Sequence, residues 1–548
     1  MNLHTYKIKE EYKRGVAYFS MEFAIDQALK TYSGGLGFLS GSHMRSAYDL
    51  GQNVIGVGML WSYGYYDQTR DEHKDLKANF IRKRYYFLED LNIEVKLNIN
   101  NHPVYVKALL LKAETFGTAP IIFLTTDYYK NDHLACTISH KLYDVYEDTR
   151  IAQETVLGVG GVKVLEALNQ KIDIYHLNEG HALPLAFELY KKYPSQEKLR
   201  EHIVFTTHTP EKAGNEVHNI YKLKQMGFFA DLTLDEVRTV TGIEDDNFSL
   251  TLGALRVSKI ANGVSKLHGI VSNDMWKDYH NIAPITSITN AQNRKYWADD
   301  QLLHFFNTNE DYEIVGRKKH LKKKLFEIVA DQTGKLFDPD VLTIVWARRF
   351  AEYKRPNLLT YDMERFKKLV TSNGDKKVQI IWAGKPYPFD MNAIHIFNEL
   401  HHLSLDYPNV AVLIGYELKL SSMLKKGSDI WLNTPRITRE ASGTSGMTAS
   451  MNGVINFSIN DGWIPEFGVD GVNSFIIPAD PTLNIETQDR EDYLNMMNIL
   501  EEKIIPMYYN NQDEWLKIMK SSMRDVNPYF NSSRMADEYY SKMYNLND

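Results

Sequence analysis

The sequence predicts an α/β protein of two domains, each built on a parallel sheet that is covered by helices on both faces. Short apolar runs that end in Gly, Ser, Thr, His or Asn recur along the chain, among them IDIYHLNEGH, HIVFTTHTP, VQIIWAGK and DIWLNTP. Stretches of helical character lie between them, and buried strands that alternate with helices form parallel sheets. At 548 residues the chain is also too long for one hydrophobic core. Such folds bind ligands at the carboxyl ends of their strands, where these polar residues fall.

Composition and charge exclude several classes of protein. The chain has 43% hydrophobic and 24% charged residues, near the averages for soluble globular proteins, and no apolar run approaches the length that spans a bilayer. A net charge of -7 argues against nucleic acid as a partner, because phosphate backbones select basic surfaces. The first residues show no secretory signal, and a single cysteine, Cys136, leaves no disulfide framework. We expect a cytoplasmic protein that binds neither nucleic acid nor a membrane.

The two groups of strands separate between about residues 285 and 335, where ITNAQNRKYWADDQLL and a lysine-rich helix interrupt them. This predicts an N-terminal domain of residues 1–289 and a C-terminal domain of residues 290–548. The final segment SSRMADEYYSKMY has helical spacing. It is either a plain terminal helix or one that crosses back onto the first domain.

The segment TYSGGLGFLSGSH, residues 31–43, follows a strand-like run and leads into a helix. Gly34, Gly35 and Gly37 would let backbone N–H groups approach a ligand, and the helix N-terminus behind them favours an anion. The spacing from Gly35 and Gly37 to Gly41 is one residue too long for the dinucleotide fingerprint, which disfavours a nicotinamide enzyme. On this segment alone, a structural turn is an equally good interpretation.

Four cations follow the apolar run LTIVW: Arg348, Arg349, Lys354 and Arg355. Paired guanidinium groups with a nearby lysine suit phosphate oxygens, because Arg grips planar oxygen pairs and Lys supplies a point charge. A solvated basic face is the usual meaning of a charge run. The position at a strand end favours an anion site here.

Three histidines, His176, His181 and His208, come from the segments YHLNEGHAL and TTHTPEKAGNE. The spacing in HLNEGH does not match a helical zinc motif and spans a strand end, so the sequence predicts no metal site. A histidine at a strand end either hydrogen-bonds sugar hydroxyls or is a buried structural residue.

The segment REASGTSGMTASMNG, residues 439–453, places Glu440 before a loop that contains Ser442, Gly443 and Thr444 and runs into a helix. The loop offers N–H and hydroxyl donors to an anion. Glu440 would accept a hydroxyl or stabilise positive charge on a sugar ring. The alternative is a helix N-cap with an acidic first-turn residue.

Taken in order, these segments resemble the α-glucan (glycogen and starch) phosphorylases, especially their shorter bacterial and archaeal branch. The resemblance covers most of the chain and includes YFSMEFAIDQALKTYSGGLG, HLNEGHA, FTTHTPEKAGNE, NGVSKLHG, ARRFAEYKRP, WAGK, WLNTPR and EASGTSGM. It implies a GT-B fold, in which two Rossmann-like domains face an interdomain cleft that holds the active site. It also implies a hexosyltransferase that retains anomeric configuration, and it suggests a homodimer.

The same resemblance assigns roles to residues. It implies that the glycine loop approaches the phosphates, that His208 holds the glucosyl unit and that Glu440 contacts the glucose. It also implies that Arg348, Arg349 and Lys354 hold the substrate phosphate. The remaining residues that we expect to contact substrate are Gly34, Gly35, Gly37, His181, Tyr416, Ser442, Gly443 and Thr444.

The chain departs from the family at position 448. The resemblance places there a lysine that binds pyridoxal phosphate as a Schiff base, and this sequence has Thr448. Threonine has no amine and cannot form an imine, so we expect no covalent cofactor and no role for pyridoxal phosphate. Lys385 and Lys419 lie in the same half of the chain but do not match the motif. Two further segments depart from the family pattern. Residues 288–293 read ITNAQN, and the segment IGY keeps only Tyr416 of the family motif. The resemblance places both near the pocket of the cofactor.

Three hypotheses follow. The leading one is a retaining glucosyltransferase that moves glucosyl units to or from an α-1,4-glucan or maltooligosaccharide, with a nucleotide-diphosphate glucose as donor. The second is an α-glucan phosphorylase that forms glucose 1-phosphate with pyridoxal phosphate held loosely or not at all. The third is a non-catalytic glucan-binding protein. No carboxylate pair stands out, which disfavours a two-carboxylate glycosidase.

Overall fold

A computed structural model describes residues 2–211, 214–371 and 377–546 of the chain. Its backbone contacts define two compact units. Unit 1 comprises Met1–Tyr66, Phe80–Asn290 and Ser532–Asp548, and unit 2 comprises Asp67–Asn79 and Ala291–Asn531. Residues 67–79 lie within the predicted N-terminal domain of residues 1–289, whereas the structure groups them with unit 2. The C-terminal segment is grouped with unit 1.

The described residues form strands in both units. In chain order they are β1 (Val16–Phe19), β2 (Val54–Met59), β3 (Asp67–Arg70), β4 (Leu76–Asn79), β5 (Glu89–Ile99), β6 (His102–Leu111), β7 (Ile121–Thr125), β8 (Ile174–Asn178), β9 (Ile203–Thr206), β10 (Val217–Asn219), β11 (Asn247–Ser249), β12 (Ile260–Gly263), β13 (Ile285–Ser287), β14 (Leu342–Ala347), β15 (Val378–Ala383), β16 (Val410–Leu413), β17 (Ile430–Asn433), β18 (Ile455–Ile459) and β19 (Ser474–Ile477).

The same residues also form α-helices in both units. In chain order they are α1 (Gly35–Leu50), α2 (Ala113–Phe116), α3 (His133–Thr137), α4 (Glu147–Thr155), α5 (Gly161–Ala167), α6 (Pro184–Tyr190), α7 (Gln196–Arg200), α8 (Ile220–Gln225), α9 (Leu234–Thr241), α10 (Leu250–Val257), α11 (Lys266–Trp276), α12 (Arg294–Trp297), α13 (Asp300–Thr308), α14 (Asp311–Thr333), α15 (Met363–Thr371), α16 (Met391–Leu405), α17 (Leu418–Gly427), α18 (Thr444–Ser450), α19 (Ile464–Phe467), α20 (Ile485–Ile499), α21 (Ile505–Asn510), α22 (Gln512–Tyr529) and α23 (Ser532–Tyr539). No helix in this part of the chain is long and apolar enough to cross a membrane.

Helix ends follow local sequence signals. Thr233 and Glu236 form a capping box at the start of α9, in which each side chain accepts a backbone N–H of the other. Gly51 and Gly334 end α1 and α14 in the left-handed conformation, which glycine adopts without strain. α14 is the lysine-rich helix that the sequence predicts between the two groups of strands.

The described part of unit 1 contains a nine-stranded sheet in the order β13-β12-β9-β8-β1-β2-β7-β6-β5. β6 is antiparallel to both β5 and β7, and the other neighbours pair in parallel. β1, β2, β7 and β8 are buried along their whole length, as strands covered on both faces are. The chain builds the parallel part outward in both directions from β1, so the strand order reverses between β1 and β8. Ligands bind at such a reversal, outside the carboxyl ends of the strands.

The described part of unit 2 contains a six-stranded, fully parallel sheet in the order β16-β15-β14-β17-β18-β19. Numbered within the unit, this is the strand order 3-2-1-4-5-6 of the Rossmann fold. The order reverses between β14 and β17. Apolar side chains of these strands, with Trp346 and Trp382 among the fully buried ones, form the core of the sheet. The prediction of an α/β fold with two large, mainly parallel sheets is confirmed.

A small antiparallel hairpin, β3 with β4, belongs to unit 2 although its sequence interrupts that of unit 1. Gln68 Nε2 donates to Gly384 O at 2.8 Å, and Gln68 Oε1 accepts from Gly415 N at 2.9 Å and Tyr416 N at 3.1 Å. Arg70 Nη2 donates to the carbonyl of Val412 at 3.0 Å. The hairpin therefore satisfies backbone groups at the carboxyl ends of β15 and β16.

The last helix, α23, packs on α1 within unit 1. Ser532 Oγ lies 2.6 Å from Ser46 Oγ, and Gln52 Nε2 donates to Ala536 O at 3.0 Å. The π-helical turn that follows, Tyr540–Tyr544, is anchored by buried tyrosine rings.

Candidate active site

The glycine loop of unit 1 leads from β1 into α1 and is held by a buried carboxylate. Gly34 is the N-cap of α1 and Gly35 is its first residue. Glu22 accepts hydrogen bonds from Ser33 N at 2.6 Å, Gly34 N at 3.1 Å and the Tyr143 hydroxyl at 2.7 Å. A negative charge at the start of a helix is favourable, so Glu22 stabilises the loop in this conformation.

The three glycines of the loop have different physical roles. A Cβ added to Gly34 or Gly35 would meet nothing within 4 Å. A Cβ on Gly37 would lie 2.5 Å from Tyr32 Cβ and 3.0 Å from Glu22 Oε2. Packing therefore requires glycine at Gly37, whereas the backbone at Gly34 and Gly35 is open to an approaching group.

His208 and Asn178 lie at the carboxyl ends of the neighbouring strands β9 and β8. His208 Nε2 is 2.7 Å from Asn178 Oδ1, and Asn178 Nδ2 donates to Ser20 Oγ at 3.1 Å. Because the amide oxygen only accepts, Nε2 carries the ring proton and Nδ1 is the acceptor. Burial, together with nearby His268 and His181, lowers the pKa of His208 to about 3. His208 is a neutral imidazole that can bond a hydroxyl group.

Glu179 fixes the backbone next to His208. Its carboxylate accepts from His208 N at 2.7 Å, Gly180 N at 3.2 Å and Thr209 Oγ1 at 3.3 Å. Burial raises the pKa of Glu179 above its ordinary value although these donors oppose the change. Its φ of +74° is unusual for a residue other than glycine, and such strain is concentrated at functional sites.

The other two histidines differ in their surroundings. His176 is a structural residue, because Nδ1 lies 2.6 Å from the Tyr544 hydroxyl and Nε2 lies 2.7 Å from Thr206 Oγ1. His181 lies in the short 3-10 turn Gly180–Ala182, and burial lowers its pKa to about 4. Its contact with substrate stays a prediction.

In unit 2, Arg348, Lys354 and Glu440 meet at the carboxyl ends of β14 and β17, where the strand order reverses. Glu440 Oε2 lies 3.1 Å from Lys354 Nζ and 3.3 Å from Arg348 Nη1. These side chains are only 7% to 12% exposed. Burial alone would raise the pKa of Glu440, but Lys354 and Arg348 outweigh it and hold this pKa below its ordinary value. The cluster carries one excess positive charge and suits a phosphate group.

The two other cations of this segment separate in the structure. Arg349 is exposed, and its charge adds to the lowering of the Glu440 pKa. Arg355 is buried and donates to Thr434 O at 2.9 Å, while its ion pairs with Asp489 and Asp492 measure 2.9 Å and 2.8 Å. The anion-binding interpretation is wrong for Arg355, because carbonyl and carboxylate groups of the fold occupy its guanidinium.

Asp461, after β18, supports the loop that carries Glu440. Its carboxylate accepts from Glu440 N at 3.0 Å and from Gly462 N at 2.8 Å, and burial raises its pKa to about 6. A Cβ on Gly462 would lie 2.3 Å from Ser442 O, and Trp463 N donates to the same carbonyl at 2.9 Å. The loop after β18 therefore holds the loop after β17 in place.

The loop after Glu440 turns directly into α18. Gly443 is the N-cap with a φ of +86°, and a Cβ there would lie 3.6 Å from Arg348 Nη2. Ser442 Oγ is buried and has no hydrogen-bond partner among the described residues. Thr444 begins the helix. A buried hydroxyl without a partner in this loop is a suitable donor for an anion.

Tyr416 supports the strand end that carries Arg348. Its ring is buried, and its hydroxyl donates to Ala347 O at 3.2 Å and accepts from Ser421 Oγ at 3.3 Å. Burial raises the pKa of the phenol to about 12. Contact of Tyr416 with substrate stays a prediction.

Thr448 occupies the position at which the family resemblance places a cofactor-binding lysine. It is 1% exposed within α18, and its Oγ1 donates to Ser445 O at 2.9 Å. The residue offers no amine, so the residues present do not fit pyridoxal phosphate attached at this position. Lys385 is buried with Nζ 3.0 Å from Glu417, and Lys419 is exposed on α17.

Sequence reasoning missed four residues that hold the site. Glu22 and Asp461 are buried carboxylates that accept backbone N–H groups, and Asn178 and Glu179 hold His208. A usable signal existed, because each of them ends or closely follows a buried apolar run. An acidic or amide residue at that place lies at the ligand-binding edge of a parallel sheet.

The fold and these contacts define an α/β protein with a hydrogen-bonded His208–Asn178 pair in unit 1 and a buried ion-pair cluster around Glu440 in unit 2. Residues 286–467 match the family model described as carbohydrate phosphorylase. The chain is 47% identical to an uncharacterized protein of Methanocaldococcus jannaschii, over 96% of this chain and 99% of that protein. It is 32% identical to the maltodextrin phosphorylase of Thermococcus litoralis, over 97% and 71% of the two chains. It is 31% identical to the glycogen phosphorylase of Aquifex aeolicus, over 99% and 88%.

The chain belongs to the carbohydrate phosphorylase family, whose members are hexosyltransferases. The resemblance that the motifs indicate is thereby confirmed at the level of the family. Of the residues that match the family pattern in unit 2, Arg348, Lys354 and Glu440 lie together.

Proposed function

We propose that this protein transfers glucosyl units to or from an α-1,4-glucan, with retention of configuration and without covalently bound pyridoxal phosphate. The observation that carries the proposal is the buried ion-pair cluster of Arg348, Lys354 and Glu440 at the strand reversal of unit 2. It combines cations for a phosphate group with a carboxylate for a sugar. Relatives at 32% and 31% identity are named for the phosphorolysis of maltodextrin and glycogen, which supports glucan as the sugar substrate.

The ion pairs give Glu440 a defined part in binding. A phosphate group that takes Arg348 and Lys354 as partners removes them from Glu440. The carboxylate then accepts hydrogen bonds from sugar hydroxyls and stabilises positive charge on the glucosyl ring. In retaining transfer the leaving phosphate assists the incoming hydroxyl, so positioning and electrostatics supply most of the rate.

In unit 1 we assign the glucosyl contact to His208. Its ring is neutral, and the bond from Nε2 to Asn178 leaves Nδ1 as an acceptor for a hydroxyl. A neutral imidazole bonds the sugar without opposing the positive charge that develops on the ring. Gly34 and Gly35 offer open backbone for a phosphate-bearing substrate.

We propose a nucleotide-diphosphate glucose as the donor. Thr448 removes the amine that would anchor a phosphate-bearing cofactor, while the cations and the glycine loops are retained. A diphosphate donor supplies two phosphate groups by itself. Phosphorolysis that forms glucose 1-phosphate is the second candidate, and the names of the relatives at 32% and 31% identity favour it.

The test is mass spectrometry of maltoheptaose incubated with the protein and, separately, with glucose 1-phosphate, UDP-glucose, ADP-glucose or GDP-glucose. Extension from a nucleotide-glucose alone is the expected result. Extension from glucose 1-phosphate alone would replace the donor proposal with phosphorolysis. If maltoheptaose binds and no donor extends it, the transferase proposal is overturned and a glucan-binding protein remains.

A further inference from the structure

Three side chains of unit 1 form a cluster with the chemistry of a metal site. The ligand atoms of Glu154, His181 and Glu216 all lie within 4.8 Å of one another. Glu154 is in α4, His181 is in the 3-10 turn after β8, and Glu216 directly precedes β10. Because the three come from separate segments, no local motif in the sequence indicates the cluster.

Two members of the cluster carry a buried polar atom without a hydrogen-bond partner in the described part of the chain. Glu154 is 2% exposed, and its Oε2 has no hydrogen-bond partner among the described residues. His181 Nδ1 is also a buried atom without a hydrogen-bond partner among these residues. A buried polar atom that lacks a partner is costly, and such atoms in a native protein point to a bound group. A cation held by the two side chains would give a partner to each of these atoms.

The separation fits one ion. Zinc bonds to histidine nitrogen and carboxylate oxygen are about 2.0–2.2 Å long, so two ligand atoms on one ion lie about 3.4 Å apart in a tetrahedral site. The ligand atoms of the cluster lie at most 4.8 Å apart, which is longer than the separation on one ion. Small rotations of the side chains would bring them to that separation. Two ionised carboxylates and a neutral imidazole carry two negative charges, of which Arg150 offsets one through Glu216, so a net negative charge remains for a cation.

Glu216 already has the outer partners that orient a metal ligand. Arg150 Nη2 donates to Glu216 Oε1, and His218 Nε2 lies 3.3 Å from Glu216 Oε2. Each carboxylate oxygen has a second lone pair, so these bonds leave room for an ion. Carboxylate ligands of metal sites are commonly held by hydrogen bonds of this kind.

The backbone beside two of the ligands is irregular. A π-helical turn, Val156–Gly160, begins two residues after Glu154, and Glu179 with its φ of +74° precedes the turn that carries His181. Both features are over-represented at functional sites. Glu179 also accepts a hydrogen bond from the backbone N–H of His208. An ion bound to His181 would therefore stabilise the turn that positions His208.

We propose that Glu154, His181 and Glu216 bind one divalent transition-metal ion, with Zn²⁺ as the best match to a mixed nitrogen and oxygen donor set. This site goes beyond glucosyl transfer and does not depend on the identity of the donor. The sequence-based expectation of no metal considered only the spacing within HLNEGH, which contains one of the three ligands.

The experiment uses the full chain without a histidine tag, freed of metal by a chelator and titrated with Zn²⁺ by calorimetry. We expect one Zn²⁺ per chain, and affinity at least tenfold weaker in Glu154→Gln and His181→Gln, since even the loss of an outer partner weakens metal binding about 10- to 100-fold. The matched control is His395→Gln, which removes an exposed histidine 3.1 Å from Glu399 and should leave binding unchanged.

Absence of Zn²⁺ binding would overturn the proposal, as would binding that survives both site variants or that falls in His395→Gln. Circular dichroism of the metal-free variants checks that they fold. Should either variant not fold, Co²⁺ added to the wild-type protein decides, because a nitrogen and oxygen site gives visible absorption bands that one equivalent of Zn²⁺ abolishes. Co²⁺ without such bands would refute the site.

Discussion

The two units share one strand order at their centres, yet different side chains meet at the point where that order reverses. In unit 1 the neutral side chains of His208 and Asn178 are joined there by a 2.7 Å hydrogen bond, and the carboxylates beside them accept backbone N–H groups. Unit 2 holds charged groups, with Glu440 paired to Lys354 and Arg348. The parallel sheet supplies only the position. The residues that follow each strand decide whether that position favours a hydroxyl or an anion.

The difference predicts different sensitivities. A charged cluster is held by mutual attraction, so the loss of one partner leaves the others buried and uncompensated. A buried histidine stays neutral because burial disfavours its charged form. Low pH therefore destabilises the folded state that contains it. Substitution should therefore disturb unit 2 most, and low pH should disturb unit 1 most.

The largest expected effect is on catalysis in unit 2. Lys354→Ala should lower the rate of glucosyl transfer about 1,000-fold, because loss of a preorganised charge that stabilises a transition state costs about 10² to 10³ in rate. Lys419→Ala removes an exposed lysine of α17 outside the cluster and is the matched control. Initial rates at saturating substrate measure the effect. A Lys354→Ala enzyme as fast as the control would remove Lys354 from the mechanism.

The next effect is on stability. Glu440→Ala should lower the free energy of unfolding by about 3 kcal/mol, because it leaves Arg348 and Lys354 buried without their carboxylate. Inorganic phosphate should restore much of the loss by pairing with the two cations. Thermal melts with and without phosphate measure both changes. A loss of stability that phosphate does not reduce would argue against the anion site.

The third effect concerns acid and unit 1. His43 is fully buried between the rings of Tyr18 and Tyr539, and burial lowers its pKa to about 3. The unfolded chain takes up a proton near pH 6.5 and the folded chain does not, so stability is present above pH 6.5 and falls as the pH drops below it. The loss is about 2 kcal/mol between pH 6.5 and pH 5 for each such histidine.

The variant His43→Phe tests this directly. Its free energy of unfolding should depend less on pH over the same range, by about the 2 kcal/mol assigned to one histidine. Chemical denaturation at pH 7 and pH 5 measures the difference. An unchanged pH dependence would mean that His43 also stays neutral in the unfolded chain or gains a proton when folded.

Much of this arrangement could be predicted from sequence, because buried strands are short apolar runs with polar ends. The runs LTIVWA, VQIIWA and IYHLN form the strands β14, β15 and β8. Arg348 and Glu440 meet because they follow adjacent strands. The carboxyl ends of parallel neighbours lie on one edge of the sheet, so this part of the site follows from topology.

The remaining features depend on contacts between distant parts of the chain. Gln68 binds Gly384 across 316 positions, and nothing in the local pattern of β3 indicates it. Glu22 and Asp461 each follow an apolar run, but only the folded loop shows which N–H groups they bind. Arg355 directly follows Lys354 in sequence, but its guanidinium pairs with Asp489 and Asp492 rather than with Glu440.

The smallest expected effect separates two glycines of the loop in unit 1. Gly37→Ala should destabilise the protein by about 1–3 kcal/mol, because its Cβ would lie 2.5 Å from Tyr32 Cβ. Gly34→Ala should change stability by less than about 0.5 kcal/mol, since its Cβ would meet nothing within 4 Å. It should nevertheless weaken donor binding, because a methyl group would occupy the open backbone that we assign to a phosphate. Denaturation curves and donor titrations measure the two effects separately, and equal donor affinity in Gly34→Ala and wild-type protein would remove the loop from the phosphate site.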